Sequence, residues 1–204
     1  FAQSSTGIDA LSIGNLNIYL GNWTIDLTSG NVSITGNIYV SPGATLGFVP
    51  STSNTLVLNG TAAQFITIDG SLNFGVNESL TIDNAAGVTL NSDITLGPGT
   101  TLNLNSGILK IETPATMLTL SAGTTLVGGS NASYIDGKVK KIGNTDFTFP
   151  VGETGYGYVP IGIGTFVGGT VNDEFTAEYI RGDAATLGPI TAGPGLNHVS
   201  ACDY

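Results

Sequence analysis

The chain has 204 residues, a formal net charge of −10, only 10% charged residues, 30 glycines and a 41% hydrophobic share. That apolar share is ample for a core and excludes disorder, while the acidity sets the chain against phosphate backbones and anionic bilayers, so neither nucleic-acid nor membrane-surface binding is expected. The single cysteine, Cys202, excludes an internal disulfide and a Cys-based metal site, and no apolar run approaches the ~20 residues of a membrane-spanning helix.

In chain order, Phe1-Ala2-Gln3 has the small residue and the glutamine found around a signal-peptide cut. Residues 1–15 are expected to cap the N-terminal end of the repeats that follow, because stacked strands leave open edges. Leu16-x-Ile18-x-Leu20 and Ile25-x-Leu27 read as a partial coil, and Val32-x-Ile34, Ile38-x-Val40 and Leu46-x-Phe48 as a first full unit. Residues 49–64, with Pro50 and a further triplet Leu56-x-Leu58, are expected to bulge from one corner as a loop or an extra strand.

Three regular units come next. They are Ile66-x-Ile68, Leu72-x-Phe74, Leu80-x-Ile82; then Val88-x-Leu90, Ile94-x-Leu96, Leu102-x-Leu104; then Leu109-x-Ile111, Leu118-x-Leu120, Thr125-x-Val127. Alternation turns both apolar residues of a triplet to one side and the middle residue to the other. Segments 37–46, 71–80, 93–102 and 117–126 also share a ten-residue template ending in Leu, with Pro42-Gly43 recurring as Pro98-Gly99 and Ala122-Gly123. Three short strands per period and Gly or Asn at the turns describe a triangular coil of about 22 residues. A coil cannot bury its inner face alone, so stacking is required. The expected fold is all-β: a parallel β-solenoid, of the right-handed β-helix kind, over 16–130, followed by an antiparallel β-sandwich-like module over 131–204.

That last stretch contains Ser133-Tyr-Ile-Asp-Gly-Lys-Val139, Gly143-Asn-Thr-Asp-Phe-Thr-Phe-Pro-Val-Gly152, Tyr158-Val-Pro-Ile-Gly-Ile163, Phe175-Thr-Ala-Glu-Tyr179 and Asn197-His-Val-Ser-Ala-Cys-Asp-Tyr204. It resembles a module of large exported β-solenoid surface proteins from Bacteroidetes-type bacteria, adhesin-like substrates of type IX secretion. The resemblance implies a secreted or outer-surface location and a chain that continues beyond Tyr204, and it brings no catalytic residues.

Polysaccharide-cleaving β-helices need paired carboxylates or an acidic cluster near a base. Here Asp26, Asp69, Glu78, Asp83, Asp93 and Glu112 fall at different repeat positions, and Lys110 is the only base in the repeats. His198 has no triad around it, Cys202 reads as a small buried hydrophobe or as pairing beyond these residues, and Asp173, Glu174 and Asp183 read as an exposed turn in preference to a calcium site. Arg181-Gly182-Asp183 has the form of a cell-attachment tripeptide but reads as turn chemistry. Lys138, Lys140 and Lys141 are expected on a solvated strand edge. The candidate ligand-binding residues are Tyr19 and Tyr39, outward on successive coils, with Trp23 in a neighbouring turn; such rings can stack on sugars, though cover by the N-terminal cap or by the insertion is the slightly preferred reading. No catalytic residue, metal or cofactor is expected. The function expected is a non-enzymatic structural or adhesive surface protein, partnered by other surface or fibre components, by glycans or proteins, or by its own copies. The alternatives are a carbohydrate-binding module, or part of a carbohydrate-active enzyme whose site lies elsewhere.

Overall fold

The computed structural model describes residues 10–25, 30–48, 53–112, 115–164 and 168–182. Among these there are strands and turns and no helix. The first eighteen strands come as six rungs of three. The rungs are β1 (Ala10–Ile13), β2 (Leu16–Ile18), β3 (Asn22–Ile25); β4 (Gly30–Ile34), β5 (Ile38–Val40), β6 (Thr45–Phe48); β7 (Asn54–Leu58), β8 (Gln64–Ile68), β9 (Ser71–Asn73); β10 (Ser79–Asp83), β11 (Val88–Leu90), β12 (Ile94–Leu96); β13 (Thr101–Ser106), β14 (Leu109–Ile111), β15 (Leu118–Leu120); and β16 (Thr125–Gly128), β17 (Ile135–Asp136), β18 (Val139–Ile142). Equivalent strands pair in parallel and form the walls of a β-solenoid.

The first wall stacks β1-β4-β7-β10-β13-β16 and the second β2-β5-β8-β11-β14-β17. In the first wall, Leu11, Val32, Leu56, Leu80, Leu102 and Leu126 form one inward column. Its four middle members are buried, because a rung above and a rung below cover each one. The second wall contains a step. Ile38 faces Ile66, but Leu90 also faces Ile66, so the later rungs are displaced by two residues. A one-residue slip would turn every apolar side chain outward; a two-residue step keeps the inner face. Gln64 occupies the extra inward place and is fully engaged. Its amide donates to the carbonyls of Ile34 and Gly36, and its Oε1 accepts from Gly60 N and from Asn84 Nδ2.

The third wall is in two parts, β3-β6-β9 and β12-β15-β18, with no ladder between β9 and β12. Phe48 and Phe74 stack at 5.3 Å on the early side of this seam.

Four expectations change. The ladder begins at Ala10, inside the expected cap, since β1 pairs with β4; residues 1–9 lie outside the described residues. Leu56-x-Leu58 is no excursion: β7 is an ordinary rung between β4 and β10. The shared ten-residue template mixes two corners. Leu80, Leu102 and Leu126 share the first wall, but Leu46 lies in the third wall beside Leu72. The same tight turn closes both corners, with Ala44 N bonding to Ser41 O and Thr100 N to Gly97 O, so the Pro-Gly signature marks a corner without saying which. Finally, the stack does not stop at Ser130. β17 and β18 add a sixth rung, because Ile135 and Val139 supply inward apolar residues in register with Leu109 and Leu118.

Beyond Ile142 the pairing becomes antiparallel. β19 (Phe147–Phe149) pairs with β22 (Ile161–Ile163), β20 (Gly152–Glu153) with β21 (Gly157–Tyr158), and β23 (Glu174–Ala177) runs antiparallel along β18. β23 thereby covers the last edge of the third wall, and a bridge from Ile135 to Val151 covers part of the second.

Candidate functional site

Tyr39 is the middle residue of β5, so it points out of the second wall between the buried Ile38 and Val40. Asn17 and Thr67 flank it on the neighbouring rungs. Tyr19 lies at the corner just past β2, one step along from that column, where Ser41 N bonds to Ile18 O and the Ser41 hydroxyl to Tyr19 O. The two rings nevertheless meet, with centroids 5.8 Å apart and planes tilted by 56°. Tyr19 is 63% exposed, so this pair presents a ring to solvent.

Leu20, expected inward, is 81% exposed: the chain turns the corner at Gly21, whose φ is +80°, and carries Leu20 outside. Trp23 is not in a turn. It lies within β3 on the third wall, opposite Leu46 and thus in an inward column at the open end of the stack. Its indole N–H donates to Leu20 O at 3.1 Å. The structure therefore brings Tyr19 and Tyr39 together and places Trp23 on a different wall. Sequence reasoning passed over Phe65, the outward residue before Ile66, which is exposed on the same wall as the tyrosines. Strict alternation from Ile66 was the signal for it. Asn37 Oδ1 accepts the Phe65 N–H and Asn15 Oδ1 accepts the Asn37 N–H, so asparagine side chains link successive rungs along this wall.

Among the described residues these acids do not converge. Asp93 accepts the Met117 N–H, Glu112 pairs with Lys110 at 2.7 Å, and Asp69 and Asp83 are exposed elsewhere. Asp173 caps its own turn by accepting from Thr170 N and Oγ1, which holds its carboxyl below the usual range, and Glu174 pairs with Lys140 at 2.9 Å. Among the described residues no group of three or more His, Cys, Asp or Glu is placed to hold a metal ion. Asp26, Asp183, His198 and Cys202 lie outside the described residues.

Among the described residues, two side chains that ordinarily carry a charge are inside. Glu78 sits at the corner entering β10, fully buried. One carboxyl oxygen accepts from Gly75 N, while Oε1 has no hydrogen-bond partner. Burial pushes this carboxyl above its ordinary value, partly opposed by the Gly75 bond. Its counterparts one and two rungs on are the neutral Thr100 and Thr124, which satisfy themselves on the carbonyls of Gly97 and Leu96. Lys141, expected on a solvated edge, is buried instead. The register sets it opposite Leu120, an inward position, because β18 is a rung of the solenoid.

No family model matches the chain, and comparison with curated proteins and with solved structures returns no match.

Proposed function

We propose that the chain is a non-enzymatic structural and adhesive protein, a stiff solenoid segment that holds a binding surface away from its point of attachment. The carrying observation is the continuous ladder of the first two walls, six strands each, over a column of buried aliphatic side chains. A ladder of this kind resists bending because each rung is bonded above and below. The resemblance of residues 131–204 to exported surface proteins supports a secreted or outer-surface location. The acidity and the thin scatter of charges favour a surface that stays dispersed.

Two measurements test this. Single-molecule stretching should show resistance along the solenoid that exceeds that of an antiparallel sandwich of similar size. Beads coated with the chain should adhere to polysaccharide or cell surfaces above an albumin control. Release of fragments from a polysaccharide by the purified chain would replace this reading with a catalytic one.

A second reading, a carbohydrate-binding module, is favoured by the paired Tyr19 and Tyr39 rings. It predicts glycan-array binding that the double variant Tyr19→Ala, Tyr39→Ala abolishes; a wild-type array without signal would sink it.

A further inference from the structure

The third wall repeats one inward position as Leu96, Leu120 and Lys141. Leucine is what this place requires, and the two leucines are fully buried. In the last rung a lysine takes it, itself only 3% exposed. Its stem continues the apolar column, and its ammonium donates to the carbonyl of Ile142. An ammonium has three donors. Neither the Lys110–Glu112 pair nor the Lys140–Glu174 pair involves it. The ring of Phe147 lies 5.8 Å from the nitrogen, at the outer limit of a cation–π contact, which is weaker than pairing with an anion. Burial lowers the affinity of this lysine for its proton, the mark of a cation short of compensation.

Lys141 lines a cavity of about 460 Å³ between the edge of β16 and the start of β19. That volume is within the ~300–1,000 Å³ of small-molecule sites. Besides the lysine, the cavity is walled by Phe147 and Tyr158, by Thr125, Thr145 and Thr148, and by Asp146, whose carboxylate can accept from sugar hydroxyls. The first wall ends at β16, so no further rung covers this side.

We infer that this cavity is a binding site for an acidic sugar, with Lys141 receiving the carboxylate and the flanking rings and threonines receiving the sugar ring. A lone anion would need only the ammonium. Aromatic faces and hydroxyls around it suit a ring with one apolar face and several hydroxyl groups. The site is separate from the Tyr19–Tyr39 pair, which lies on the first two rungs, whereas this cavity closes the sixth.

The test is a titration of the whole chain by calorimetry and by amide NMR with galacturonate, galactose and N-acetylglycine. Galacturonate should bind, and shifts should centre on Lys141, Thr125 and Phe147. Galactose and N-acetylglycine should each bind at least tenfold more weakly. Lys141→Met keeps the stem in the core column and should fold, with galacturonate affinity falling at least tenfold. Lys141→Leu completes the leucine column and should melt higher than wild type while losing the sugar. Three results would overturn the assignment: galacturonate affinity unchanged in Lys141→Met, galactose binding as well as galacturonate, or N-acetylglycine matching the uronate. The first removes the lysine from the site, the second the need for an acid, and the third the sugar. Absence of any galacturonate binding at millimolar concentration overturns it as well.

Discussion

The first and third walls are built from the same kinds of residue and end up differently. The first is an unbroken six-stranded ladder, while the third parts between β9 and β12. In the first, Leu102 lies between Leu80 and Leu126 and is completely buried. In the third, Leu72 is opposite Leu46 on one side only and stays partly exposed. An apolar residue in a solenoid is therefore worth what its neighbouring rungs make of it. Composition of the rung itself decides less.

The largest effect expected from this difference is on core truncation. Leu102→Ala should cost about 2–5 kcal/mol of unfolding free energy, the range for a leucine removed from a closed core. Leu72→Ala, beside the seam, should cost roughly 1 kcal/mol. Urea unfolding of the two variants measures both, and equal losses would mean the seam is as tightly packed as the ladder.

Next comes the corner between the first two walls. A side chain at Gly107 would place its Cβ 1.7 Å from the Asn84 carbonyl, at a φ of +82°. Gly107→Ala should lose about 1–3 kcal/mol through strain alone. Gly43→Ala, also at positive φ but with open space around it, should lose less. A thermal melt of each separates close approach from backbone conformation.

Glu78 offers a smaller and pH-dependent contrast with Thr100 and Thr124. Its folded-state affinity for a proton exceeds that of the unfolded chain, owing to burial. The stability associated with it is complete below the unfolded value of about 4.3 and declines as pH rises through the raised folded value. Glu78→Gln removes that decline. The variant should match wild type in mild acid and exceed it near neutrality, in denaturation midpoints taken across that range. A constant difference at every pH would show that Glu78 does not titrate there.

The smallest effect belongs to the outer face. Tyr19→Ala with Tyr39→Ala should leave stability within about 0.5 kcal/mol of wild type, as expected for surface sites. A larger loss would make the pair a packing element and weaken the carbohydrate-binding reading.

The triplets were legible in sequence because inward and outward residues alternate so consistently, as in Val88-Thr89-Leu90 and Leu118-Thr119-Leu120. What alternation does not carry is which wall a triplet joins. Pro42-Gly43 and Pro98-Gly99 make equivalent turns at different corners, so Leu46 could be aligned with Leu80 when its true partner was Leu72. The step at Gln64 was hidden for a related reason, since a two-residue displacement leaves the pattern of faces unchanged. Lys141 was misplaced because three lysines in four residues look like a solvated edge. Only the rung below shows that Val139 and Lys141 point inward while Lys140 points out. Tyr19 and Tyr39 were rightly paired as outward rings, but Trp23 needed the register of β3 to be assigned to the third wall.

The corner that precedes the first wall has a further consequence. Asn77, Gly99 and Gly123 occupy it on successive rungs, all at positive φ, with Asn77 N bonding to Gly99 O and Gly99 N to Gly123 O. On these three rungs the chain thus returns to the same point, in the same direction, after each circuit. Duplicating the stretch between two such points would add one storey of about 4.8 Å and leave everything on either side in phase. This half of the solenoid is graduated like a ruler, and its length can be edited one mark at a time.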